Sequence, residues 1–193
     1  MTDTGGAWPD SALWDYALRL YGEPGVEAAC LTLQDRAGVD VNLLLFATWL
    51  GATGRRLEPS VLARARQSAE DWQSRVVQPL RVVRRELKPR LAAVGPRLRG
   101  PLTATRQQLA EVELALERAE LIMLEGLADS LPAVPCDREI AVRALLALVP
   151  WSVEHRPEIG VVLAAAFPSH ACEKGSPAPE AQRDSSAKPG GWK

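Results

Sequence analysis

Two small sets of side chains in this sequence have types and spacings that could do chemistry. The first is Gln34, Asp35, Asp40 and Asn42, the densest polar group beside a strongly apolar run. Two neighbouring carboxylates can share a proton or a cation, because each raises the cost of charging the other. A helical metal site of that kind needs repeated acids at three- or four-residue spacing on facing helices. This chain has a single loose pair across Gly38, so no metal is expected. Asp and Asn here also suit a turn and a helix cap, which is the plainer reading. The alternative is a polar pocket for a small molecule, or an enzyme site, at this turn.

The second set is Arg81, Arg84, Arg85 and Lys88, at i, i+3, i+4 and i+7. On a helix these four cations fall within about 60° of arc. Val76, Leu80, Val83, Leu87 and Leu91 lie on the other side and are expected to pack inward. Such a face suits an acidic protein partner. It could also neutralise nucleic-acid phosphates or anionic lipid, with salt-dependent binding. No aromatic residue stands among the arginines to stack on bases, and no nucleic-acid motif is present. The third option is internal pairing with an acidic helix further along.

Other constellations are missing. Cys30, Cys136 and Cys172 have no CxxC spacing, and the two histidines, His155 and His170, have no second ligand at metal-binding distance in sequence. There is no Gly-rich phosphate loop, GxSxG elbow or HExxH pair. No cofactor is therefore expected, and the balance leans away from an enzyme. Trp14, Tyr16, Tyr21, Trp49 and Trp72 read as core filler before pocket lining.

The net charge of the 193-residue chain is −1, so whole-chain electrostatics select no partner. Its distribution is more informative: residues 55–99 hold twelve Arg or Lys against four acids, whereas 100–139 hold three Arg against eight acids. Either the segments pair within the fold or each faces a partner. An odd number of cysteines and a start without a basic-then-apolar leader point to the cytoplasm.

The elements that must position these groups all read as helices. Residues 39–50 are apolar in every direction around a helix, yet too few to span a bilayer, so they form a buried central helix with Asp40 as its cap. Gly51 and Gly54 are expected to end it. Before it come helices at about 11–21 and 24–37, the second carrying Cys30 on its apolar stripe. After it, residues 59–77 form a helix that Pro79 should kink or break, with Pro89, Pro96 and Pro101 punctuating the next stretch of chain. The longest helix, about 102–129, is expected to turn Leu109, Val112, Leu116, Ala119 and Met123 inward and Glu111, Glu117 and Glu120 outward. A Pro-rich link leads to a helix over 139–149 and a short apolar segment at 159–167. The expectation is an all-α single-domain bundle over 10–167, with a flexible arm at 1–9 and a disordered tail at 168–193.

The blocks Leu13-Trp14-Asp15-Tyr16-Ala17, Tyr21 to Val26, Cys30 to Asp35 and Gly38 to Leu45 resemble a bacterial family of small helical proteins, known mainly as a conserved domain of unknown function. Trp72 and the run from Pro79 to Arg85 are similar to that family's second block, so the resemblance covers about residues 12–90. It implies a helical fold and a bacterial cytoplasmic setting, and it carries over no catalytic residue.

Overall fold

The computed structural model describes residues 7–149 and 153–168; the expected tail, His170 and Cys172 lie outside the described residues, as does most of the arm. The chain is a single all-α domain whose centre is α3 (Val41–Ala52). Asp40 caps α3 by accepting from the Asn42 and Leu43 backbone N–H groups, at 2.9 and 3.3 Å. Every residue from Val41 to Gly51 is buried, as an all-round apolar helix requires. Among the described residues no helix is long and apolar enough to cross a membrane.

Five helices wrap α3: α1 (Ala12–Tyr21), α2 (Val26–Ala37), α6 (Pro96–Ala128), α7 (Arg138–Leu148) and α8 (Arg156–Ala166). Ser11 caps α1 and also donates to Glu125 on α6. Cys30 is fully buried on the inner face of α2, and burial pushes its thiol up to about 12. It behaves as a small apolar side chain, not as a nucleophile.

Gly51 does not end the central helix. It lies inside α3 at the crossing with α7, where a Cβ would stand 2.6 Å from the Ala141 Cβ and 2.8 Å from its backbone N. The residue is glycine because α7 comes too close for anything larger. Gly54, with φ +65°, makes the turn beyond the helix.

The prolines also act differently from expectation. α4 (Pro59–Trp72) passes through a π-turn, Gln73–Val77, directly into α5 (Gln78–Ala93). The wider π-turn just ahead of Pro79 gives its ring room against the preceding carbonyls, so the helix goes on instead of breaking. Pro89 lies within α5 and Pro101 within α6, both on exposed backbone where water can satisfy the carbonyls they leave unpaired. Of these four, Pro96 is the one at a boundary, opening α6 after the Val94–Gly95 link.

The largest correction concerns the facing sides of α5 and α6. On α6, Val112 and Met123 are exposed, while Glu113 and Glu120 are buried in line with Leu121, Leu124 and Ala128. On α5, Val83 is exposed and Arg81 is buried. Each helix presents its charged stripe to the other, and the opposite charges make that burial tolerable.

Candidate functional site

The polar residues meet where the N-terminus of α3, the π-turn and α6 come together. Glu120 is 1% exposed. Its Oε2 accepts from Asn42 Nδ2 at 2.8 Å and from Gln73 Nε2 at 2.6 Å. Gln73 is the first residue of the π-turn. Asn42 also reaches the Glu117 carbonyl, at 3.4 Å.

Glu120 Oε1 is buried without a hydrogen-bond partner. Burial, followed by the charge on Asp40, pushes Glu120 up to about 9. Burial raises Asp40 as well, opposed by the bonds it receives as cap. At neutral pH Glu120 therefore keeps its proton.

Next to this pair lie two buried ion pairs. Arg81 donates to Glu117 Oε1 at 2.6 Å, with side chains 7% and 13% exposed. Arg84 donates from Nε to Glu113 Oε1 at 2.8 Å, with side chains 12% and 7% exposed. Burial dominates at Glu117 and pushes its carboxyl up to about 6, despite Arg81. Trp72 supports the same stretch of α6 by donating its indole N–H to the Leu116 carbonyl.

The two sets of residues singled out in the sequence thus come to one place. Gln34, Asp35, Asp40 and Asn42 line a cleft of about 80 Å³ together with Arg81, Arg84 and Arg85. Arg85 and Asp35 pair at 3.4 Å at its exposed rim. Lys88 is not among its walls and makes no ion pair among those described. Asp40 and Gln73 also border a larger cavity of about 540 Å³, with Gln34, Glu70, Ser74 and Gln78 among its other walls. No three His, Cys, Asp or Glu side chains among the described residues gather closely enough to hold a metal ion.

Sequence reasoning missed Glu113, Glu120 and Gln73. A signal for the glutamates was present: 113, 117, 120 and 124 follow i, i+4, i+7 and i+11, so the acidic stripe runs in register into Leu124 of the core.

The four expected cations do not form one open face, since Arg81 and Arg84 point inward. Further out the situation reverses. No residue in 82–112 is buried, and α5 packs chiefly on α6 and the π-turn. The outer part of this helical hairpin, residues 86–110, carries Lys88, Arg90, Arg97, Arg99 and Arg106 against one acid, Glu86. Glu86 meets Arg90 at 3.4 Å in an exposed pair, too solvated to hold the arginine firmly. Val82, Val83 and Leu98 are 57%, 49% and 57% exposed on the same hairpin.

The chain belongs to the family described as a protein of unknown function (DUF2390), whose model matches residues 12–124. The match extends past the first two blocks through the Glu113–Glu120 stretch, and so includes both sides of the buried cluster and the outer part of the hairpin. No curated protein and no solved structure is significantly similar to the chain.

Proposed function

We propose that this member of the family is an adaptor that docks the α5–α6 hairpin onto an acidic protein surface. The observation that carries this reading is the combination found over residues 82–112. They project without a buried residue, carry a surplus of arginine, and still expose Val82, Val83 and Leu98. Arginine with apolar side chains and little lysine is the composition of protein interfaces. A phosphate-binding surface needs no exposed valine or leucine, and 82–112 contains no aromatic residue to stack on bases. Arg81 and Arg84 hold the two arms of the hairpin together at its base; Arg85, Lys88 and the outer arginines are the partner-facing charges. The buried Cys30 thiol suits a reducing compartment, and we place the protein in the cytoplasm.

The test is affinity capture from the native host, with and without nuclease, using three forms of the full chain. These are the natural protein, a variant with Lys88, Arg90, Arg97, Arg99 and Arg106 changed to Gln, and a Val83→Ser/Leu98→Ser variant. A protein retained after nuclease and lost with both variants supports the reading. Identical capture by all three overturns it. So does material that disappears with nuclease, which would identify nucleic acid. None of the substituted residues is buried, so the melting temperature serves as a folding control.

A further inference from the structure

We propose that the outward face of α6 is a self-association surface, on which α6 of a second copy of the chain lies antiparallel. The pattern along the helix supplies the first argument. From Pro101 to Gly126, alternating steps of four and three residues (105, 108, 112, 115, 119, 122) meet no charged side chain. A repeat of that period keeps one seam of a helix turned toward a partner helix along its whole length. Here the seam runs for about 38 Å. None of its eight residues is buried. Val112 is 46% exposed, and Met123, at the edge of the seam, 38%. Thr105 can be covered at little cost, because its hydroxyl donates to the Pro101 carbonyl.

α5 leaves this face open. Its Arg81 and Arg84 hold Glu117 and Glu113, which lie on nearly the opposite side of α6 at 100° per residue. Val82, Val83 and the cations of α5 therefore stay uncovered when the seam is filled, and self-association does not compete with docking through them.

Charge names the occupant and its direction. Before residue 111, α6 carries Arg97, Arg99 and Arg106 and no acid; from Glu111 onward its acids outnumber its one arginine, Arg118. A parallel copy would set like charges side by side. An antiparallel copy that matches the seam end to end puts Pro101 on Gly126 and Val112 on Ala115. Gly126 leaves room for the Pro101 ring, since even a Cβ there would meet nothing of its own chain within 4 Å. That register brings Glu111 beside Arg118 of the other copy, and Arg97 beside Asp129, each contact made twice by the two-fold symmetry. All four residues border the same side of the seam, and in an antiparallel pair the same sides face each other. None of them is in an ion pair within its own chain among the described residues. The register follows from the uncharged residues alone, so the match of charges is an independent observation.

The experiment is sedimentation velocity on the full chain over a range of concentrations, with the melting temperature as a folding control. The expected result is a monomer–dimer equilibrium. Val112→Glu, at an exposed position, should weaken the dimer by about tenfold or more while the chain stays folded. Gly126→Leu should also weaken it, yet raise the melting temperature of the monomer, because leucine is the better helix former. Direction is read by disulfide cross-linking in a Cys136→Ser/Cys172→Ser background. Thr105→Cys mixed with Ile122→Cys should give a covalent dimer, and neither should link to itself. A chain that stays monomeric at every concentration overturns the proposal. So does a dimer unchanged by both Val112→Glu and Gly126→Leu, or one in which Thr105→Cys links to itself.

Discussion

Replacing Glu120 with glutamine is expected to stabilise the fold at neutral and alkaline pH. In the natural protein the folded Glu120 keeps its proton to about 9, while the unfolded residue loses it near 4.5. Folding therefore takes up a proton anywhere between those values. An acid whose folded pKa is raised contributes its full stability below the unfolded value and loses it progressively as pH rises through the folded one. At pH 7 the loss is at most roughly 3.5 kcal/mol, at ~1.4 kcal/mol for each pH unit above the unfolded value. Relaxation of the folded state lowers that figure, so about 1–3 kcal/mol is expected. Glutamine removes the term. Its carbonyl can accept from Asn42 and Gln73 as Oε2 does now, and it carries no ionisable proton. Glu117, pushed up to about 6, titrates in both proteins and cancels in the difference. The assay is urea denaturation of both proteins at pH values from near 5 to near 8.5. The two should be close in stability at the acid end, and the natural protein should fall away as pH rises while the variant stays flatter. Parallel curves, or a variant less stable than the natural protein near pH 8, would show that the folded Glu120 does not hold its proton at neutral pH.

The packing sets further outcomes. Arg81→Ala strands Glu117 in a buried position and should cost about 3–5 kcal/mol; the double change Arg81→Met/Glu117→Leu should recover most of that, as read by denaturant midpoints. Gly51→Ala forces a methyl against Ala141 and should cost about 1–3 kcal/mol, visible as a lower melting temperature. Cys136 should react with a thiol reagent in the native protein, whereas Cys30 should react only on unfolding; peptide mapping distinguishes them. Amide exchange should be faster over 86–106 than in α3, since that stretch lacks buried residues and contains Pro89 and Pro101.

The central helix was legible because its answer did not depend on a neighbour. Val41 to Leu50 has no polar side to expose, so burial is the only outcome. The cap at Asp40 was legible for a similar reason, since its side chain lies within three residues of the N–H groups it satisfies. The faces of α5 and α6 were not. Each helix carries one apolar and one charged stripe of comparable length, and burial of the charged stripe becomes favourable only when the other helix brings the opposite charge. Arg81 and Glu117 are 36 residues apart, and neither sequence window alone reveals the pairing.

The same point explains how the basic segment divides. The acids able to match it stand at 113, 117 and 120, all near the base of the hairpin, and none occurs over 87–110. Arg81 and Arg84 are therefore consumed in holding α5 to α6. Lys88 belongs to the same helical stripe but lies past the last available carboxylate. A stripe that is uniform in sequence is thus split by the fold into two roles, internal anchor and exposed charge. Exposed cations that served only solubility would be expected to alternate with acids. Here they stand almost alone beside exposed valine and leucine, which is why the outer hairpin, and not the arginine stripe as a whole, is the surface to test for a partner.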